Sequence, residues 1–241
     1  MDSYYAITGP IRYYGQLPRS VKREWEIAYD AAGRRVRREF VVGEMDFQEE
    51  GFSLVEMDGA PYGFSADVIA TPSEEPMDLS RRREPVHEVL ANLMLDAGSL
   101  YAFTKRWGFL EGYVDAKKGR FRTRAEHIQP RQDLLRKGWR SEGGAIQEMA
   151  EDIKARVDVK PTGVEIAVLD LWNLIRLLFL RDHSAGRTKV CANKDCLSPY
   201  FLEQRKGQKF CSHKCAVLLN VRRFRERAAE HESQRQGRAK Q

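Results

Sequence analysis

Residues 190–230 read VCANKDCLSPYFLEQRKGQKFCSHKCAVLLNVRRFRERAAE. They hold all four cysteines of the chain, Cys191, Cys196, Cys211 and Cys215, as C-x4-C-x14-C-x3-C. Two close pairs across a hairpin-sized spacer suit a tetrahedral site of four thiolates at about 2.3 Å from one zinc ion. Four protein ligands leave no open coordination position. The spacing therefore predicts one structural Zn2+ per chain rather than a catalytic metal. The turn Ala192-Asn193-Lys194-Asp195 brings the first pair together, with Asn193 expected in a left-handed conformation. Strands are expected over 199–204 and 208–210, around Arg205-Lys206-Gly207, where Gly207 supplies the positive φ of a tight turn. Ser212 is the expected N-cap of a final helix and places Cys215 in its first turn. Knuckle, hairpin and helix in this order predict a treble-clef-like zinc finger.

The final helix is basic and amphipathic. Val217, Val221, Phe224 and Ala228 recur at helical spacing and are expected to pack on the hairpin, against Tyr200 and Phe201. Arg222, Arg223, Arg225 and Arg227 then occupy the flanks and outer side. Arg205, Lys206, Lys209 and Lys214 are expected to extend the same positive surface. Residues 187–241 carry 14 Lys/Arg against 5 Asp/Glu, whereas residues 1–186 carry 27 against 30. The positive charge is thus local to the cysteine segment, as in a module that neutralises phosphates. The plainer alternative is a solvated basic helix.

The segment 189–227 resembles the CGNR-type zinc finger of bacterial transcription regulators. The resemblance lies in C-A-N-x-x-C at Cys191–Cys196, the Tyr200-Phe201 pair, the basic turn, and Phe210-Cys211-Ser212 leading to Cys215. The helical stretch LYAFTKRWGFL at 100–110 and the apolar helix before the finger add a looser likeness. The family's Gly-Asn-Arg is replaced after Cys215 by Ala216-Val217-Leu218, so contacts made by that Asn and Arg are not carried over. The resemblance implies a DNA-binding role.

Upstream, residues 1–72 read as β-rich. Residues 1–20 show no period. Arms at 24–29 and 35–42 flank the turn at 30–33, and arms at 52–57 and 64–70 flank Asp58-Gly59-Ala60-Pro61. TPSEEP at 71–76 reads as a linker. Residues 77–186 then read as a helical domain. Its helices are expected from Pro85 through Met94, from a Ser99 cap to Gly108, over 132–139, over 145–157 and over 164–181. Residues 113–127 are expected as a polar surface connection. The helix at 164–181 is apolar except for Asp170, Asn173 and Arg176, which suits the centre of a bundle. Residues 187–231 form the finger and 232–241 a disordered tail.

The first ten residues, MDSYYAITGP, show no basic and apolar leader pattern. The run 166–180 is too short and too polar for a bilayer span. Four cysteines in this spacing without an export signal favour metal over disulfides and a reducing cytoplasm. Enzyme constellations are thin. His87-Glu88 opens like a zincin helix, but position 91 is Ala. His213 could replace a cysteine ligand, but four thiolates are the simpler set. Gly143-Gly144 lacks a phosphate-loop pattern, Asp78, Glu84 and Glu88 have nothing to gather them, and His183-Ser184 lacks a third triad member. The sequence therefore predicts an α+β, non-enzymatic nucleic-acid-binding protein, with DNA expected ahead of RNA as the partner, of the transcription-regulator type. A protein-interaction adaptor, for instance in stress or phage defence, or an RNA-binding protein is the alternative. A ligand or dimer role for residues 1–186 is left open.

Overall fold

The computed structural model describes residues 11–13, 15, 17–45, 47–53, 65–70, 77, 84–110, 113–115, 119–161 and 163–238. The fold is α+β, as the sequence predicts, with small sheets, six helices among the described residues and a C-terminal cysteine cluster. The turn at 58–61, the linker at 71–76 and Asp78 lie outside the described residues.

The expected first hairpin forms from β2 (Ser20–Tyr29) and β3 (Arg35–Glu44), in antiparallel register with Tyr29 opposite Arg35. Asp30 sets the turn: its carboxylate accepts from Ala32 N and Arg34 N, each at 2.9 Å. The second hairpin is β4 (Phe47–Ser53) with β5 (Ser65–Ala70).

Several expectations need correction. Residues 113–127 are not a surface connection. They supply β6 (Tyr113–Asp115) and β7 (Arg120–Thr123), which extend the first hairpin into a four-stranded sheet of order β2-β3-β7-β6, before α3 (Ala125–Trp139) begins. Phe121 of β7 lies flat over Gly43, where an added Cβ would come within 2.2 Å of the ring. The helix expected over 145–157 stops after α4 (Ala145–Ala150), where Glu151 turns extended (ψ 145°) and Asp152 follows left-handed (φ 50°). The chain then forms β8 (Arg156–Lys160) and β9 (Gly163–Val168). The apolar run from 164 is therefore a strand before it is a helix, an ambiguity that periodicity alone does not resolve. Residues 11–13, read as aperiodic, form β1 (Ile11–Tyr13), which pairs parallel with β9. Strands from before and after the 71–76 segment thus share two sheets.

Helix α1 (Val86–Asn92) ends two residues earlier than expected. In α2 (Ala97–Trp107) the cap is Asp96, not Ser99: its carboxylate accepts from Ser99 N at 2.9 Å and from the Ser99 hydroxyl at 2.7 Å. The central helix is α5 (Leu171–Ser184), with Asp170 as N-cap accepting from Asn173 N at 2.8 Å. Leu174, Ile175 and Phe179 are fully buried among Leu90, Leu135, Trp139 and Met149. The polar stripe faces inward as well. Arg176 donates to the carbonyls of Glu151 (2.6 Å) and Asp152 (3.0 Å), satisfying the backbone where α4 ends.

His87 lies under this core, fully buried, stacked on Trp139 (centroids 5.7 Å apart) and 3.1 Å from the Asp182 carboxylate. Burial lowers its pKa, more than Asp182 raises it, so His87 is neutral in the fold. For Asp182, burial pushes the pKa up, but the His87 hydrogen bond and the charges of Arg181 and Arg187 bring it below the usual carboxylate range. The unfolded chain binds a proton on His87 that the folded one refuses. Stability from this residue is present above pH about 6.5 and is lost as pH falls below it, whereas Asp182 matters only at still lower pH. Stability against denaturant from pH 7 to 5.5 should fall more steeply for the native chain than for His87→Asn, by up to about 1.4 kcal/mol per pH unit. Equal slopes would contradict a neutral buried His87.

Candidate metal centre

The four cysteines converge. Cys191, Cys196, Cys211 and Cys215 each offer a sulfur, and all four atoms lie within 4.8 Å of one another. The Sγ separations are 3.5 Å for Cys196–Cys211 and 3.6 Å for both Cys211–Cys215 and Cys215–Cys196. These are far beyond a disulfide bond. They match the edge of about 3.8 Å expected for a tetrahedron of thiolates at about 2.3 Å from a metal. The donor set fits a metal ion such as zinc.

Each cysteine is placed by local structure. Cys191 follows β10 (Thr188–Val190), which pairs antiparallel with β11 (Tyr200–Leu202). Cys191 N donates to Pro199 O at 2.7 Å and Cys196 N to Asn193 O at 3.0 Å, closing the knuckle. Asn193 is not left-handed; the buried residue acts through its side chain. Its amide hydrogen-bonds to Cys215 and its Oδ1 accepts from Asp195 N at 3.4 Å. Cys215 sits in the first turn of α6 (His213–Arg238), where its N–H donates to the Ser212 hydroxyl at 3.3 Å, as the predicted cap requires.

The thiols respond to this crowding. The Asn193 hydrogen bond brings Cys215 down to about 7. Burial, then the neighbouring sulfurs, push Cys211 up, and burial pushes Cys196 up. Four thiolate charges in this volume call for a cation between them. His213 at the helix start is exposed, and the four sulfurs form a complete set without it.

The expected hairpin around 205–207 is not found. β11 pairs with β10, and residues 208–210 are not a strand. A polar turn takes its place: Gly207 has φ 83°, Gln208 N donates to Arg205 O at 3.0 Å, and the Glu203 carboxylate accepts from Gly207 N and from Gln208 N (3.2 Å). This leaves Arg205 and Lys206 exposed at the tip, while Ala192 N donates to Lys209 O at 2.9 Å beside the knuckle.

The apolar stripe of α6 does not pack on the hairpin either. Val217, Val221 and Phe224 are 43%, 42% and 67% exposed, and every residue from 221 to 228 is exposed. Tyr200 and Phe201 are occupied elsewhere. Phe201 packs on Cys191 and Cys215. Tyr200 turns to the body, with its ring 5.7 Å from that of Trp139 and its hydroxyl bonded to Arg140. Residues 232–238, expected as a disordered tail, continue the helix.

All eight predicted cationic residues, Arg205, Lys206, Lys209, Lys214, Arg222, Arg223, Arg225 and Arg227, are exposed. Arg222 bonds to Asp195 of the knuckle, tying the helix to the cysteine cluster, and Arg227 Nε donates to Arg223 O at 3.2 Å. The other six make no ion pair among the described residues.

Residues of the body that hold the cysteine module escaped sequence reasoning. Along α1, Glu88 and Asn92 stand one turn apart. Asn92 donates to Tyr200 O (2.7 Å) and accepts from Tyr200 N (3.1 Å), and Glu88 accepts from Leu202 N (3.3 Å). Trp139 Nε1 donates to Lys189 O at 2.9 Å. The other constellations dissolve. His183 Nδ1 lies 2.9 Å from the Thr188 hydroxyl while the Ser184 hydroxyl donates to Arg181 O, and Glu84 pairs with Arg106 at 3.0 Å.

No family model, curated protein or solved structure matches the chain. Metal analysis should find about one zinc per chain, reduced at least tenfold in Cys191→Ser or Cys211→Ser. A metal-free chain joined by a 191–211 or 196–215 disulfide would contradict the site.

Proposed function

We propose that this chain is a non-enzymatic, cytoplasmic DNA-binding protein of the bacterial transcription-regulator type, in which a structural zinc ion fixes a basic helix for contact with the duplex. The supporting observation is the placement of α6. Its 26 residues extend about 39 Å. It is rooted at Cys215 and Asp195 in the cysteine cluster, and its Arg222, Arg223, Arg225 and Arg227 are solvent-exposed. Zinc supplies cross-linking charge that holds four thiolates together. The chain's own residues then do the binding: Arg223, Arg225 and Arg227 on the helix, with Arg205, Lys206, Lys209 and Lys214 nearer its root, neutralise phosphates. The resemblance of 189–227 to CGNR-type fingers points the same way, and the missing Gly-Asn-Arg moves the contacts onto these arginines. No helix among the described residues is long and apolar enough to cross a membrane, which agrees with a partner in solution.

A second reading, a protein-interaction adaptor, draws on the uncovered Val217, Leu218, Val221 and Phe224. The two readings separate by salt. Removing one side chain that neutralises a phosphate lowers the salt slope by about one. Arg223→Ala/Arg225→Ala/Arg227→Ala should therefore flatten the slope by up to about three and weaken duplex binding at least tenfold. A native chain that binds neither DNA nor RNA at low salt, yet retains a protein partner at high salt, would overturn the proposal in favour of the adaptor.

A further inference from the structure

The strands of the first hairpin are each ten residues long, but β7 pairs with β3 only from Val41 to Glu44. The outer half of the hairpin reaches beyond that cover. Alternate residues of a strand share a face, and directly opposed residues of antiparallel neighbours share it too. One face therefore carries Arg23, Trp25, Ile27 and Tyr29 from β2, and Val41, Glu39, Arg37 and Arg35 opposite them from β3. Val41 at the inner end is buried. The outer row is exposed: Trp25 is 56%, Ile27 47% and Tyr29 64% accessible.

The two faces of this hairpin treat their charges differently. On the other face Glu26 is held by Arg124 (2.8 Å) and Arg122 (3.7 Å), and Lys22 lies 3.9 Å from Glu24. Arg122 also covers the buried Phe40, 4.4 Å from its centroid. There the Glu24 and Glu26 carboxylates are paired and the aromatic ring is capped by arginine, while Arg38, opposite Glu26, is exposed. On the exposed face only Arg37 and Glu39 pair among the described residues, at 3.1 Å, while Arg37 also lies 5.0 Å from the centroid of the Trp25 ring. Arg23 and Arg35 make no ion pair among the described residues. Three arginines against one glutamate thus surround a row of two open rings and an isoleucine. At its inner end the row runs into an open cleft of about 570 Å3 lined by Val21, Lys22, Arg23, Gly98 and Tyr101. The track reads cation and tyrosine, then tryptophan and arginine, then tyrosine and arginine.

We infer that this face of the β2–β3 hairpin binds single-stranded DNA, with Trp25 and Tyr29 stacking on bases and Arg23, Arg35 and Arg37 following the backbone. The inference rests on the nucleic-acid reading above and adds a second surface to it. Exposed rings on a sheet, interleaved with arginine, are a stacking platform that tolerates any base. Side chains two apart on a strand stand about 7 Å apart, which suits bases splayed along an extended strand rather than stacked in a duplex. The excess of positive charge opposes docking of a second copy of the same face and favours a polyanion. The choice of DNA follows the DNA reading of α6, on which this inference rests, and oligouridylate is the contrasting probe.

Tryptophan fluorescence tests the inference directly. Trp107, Trp139 and Trp172 are buried, which leaves Trp25 as the open fluorophore of the four. Titrating the zinc-loaded full chain with oligothymidylate of about ten nucleotides should quench the Trp25 emission. Read by the anisotropy of dye-labelled oligothymidylate, Trp25→Ala/Tyr29→Ala should lose at least about tenfold in affinity for it, Trp25→Phe should retain most, and zinc content and melting should be unchanged because these side chains are exposed. Arg223→Ala/Arg225→Ala/Arg227→Ala should weaken duplex binding yet leave the quench in place. That outcome separates the two surfaces: loss of duplex binding alone strikes at the helix, and loss of the quench alone strikes at the hairpin. The inference is overturned if oligothymidylate does not quench Trp25 or if the double variant binds it like the native chain. Tighter binding of oligouridylate, or conversion of a dimer to a monomer by the double variant, overturns it as well.

Discussion

Four sulfur atoms within 4.8 Å of one another are the constraint on which the outward part of this molecule depends. The apolar cluster around them holds only Cys191, Phe201 and Cys215 as buried members, too few to order a helix by burial. Beyond its first turns α6 has no apolar cover, since Val221 and Phe224 lie open to solvent. Its direction is therefore set by its root: the Ser212 cap, the Cys215 sulfur, the Asn193 amide behind that sulfur, and the Arg222–Asp195 pair. Coulomb repulsion among four thiolates opposes this arrangement, and a divalent cation reverses the sign.

The cysteine module is in turn rigidly continuous with the body. β11 pairs with β10 on one edge, and its other edge would expose the peptide groups of Tyr200 and Leu202. Glu88 and Asn92 of α1 meet those groups with side chains spaced one helical turn apart, so a helix face serves as the missing strand. Tyr200 and Leu202 belong to the same apolar core as Leu174, Phe179 and Val41. Helix α1 and Trp139 thus hold both strands of the cysteine module directly, through Tyr200, Leu202 and Lys189. Neutral His87, stacked on Trp139, makes the seam sensitive to acid.

The cysteine spacing was fully legible in the sequence, because C-x4-C-x14-C-x3-C has few geometric solutions that satisfy one ion. The first hairpin was legible from Asp30 and Gly33, and the central apolar helix from its composition. Where the sequence misled, competing physics can be named. The run from Val164 carried no period that separates strand from helix, and the Asp170 cap settles where the helix begins. Arg120–Thr123 is too short for its alternation to register, yet Phe121 over Gly43 anchors the sheet. The stripe on α6 had the pattern of a packed face but has nothing to pack on, since Tyr200 and Phe201 are engaged by Trp139 and by the cysteines. Asn92 gave no signal, and Glu88 and Asn193 were read for other roles, because single polar side chains that satisfy distant groups leave no period that points to their partners.

Metal and cationic helix are therefore expected to act as one unit. The most direct measurement is the affinity of the zinc-loaded chain for duplex DNA across a salt series, repeated after the metal is removed with a chelator and again after zinc is restored. Binding should be steeply salt-dependent with zinc, should fall at least tenfold without it while the core helices persist, and should recover on restoration. Binding with the same affinity and salt slope in the metal-free chain would contradict that coupling.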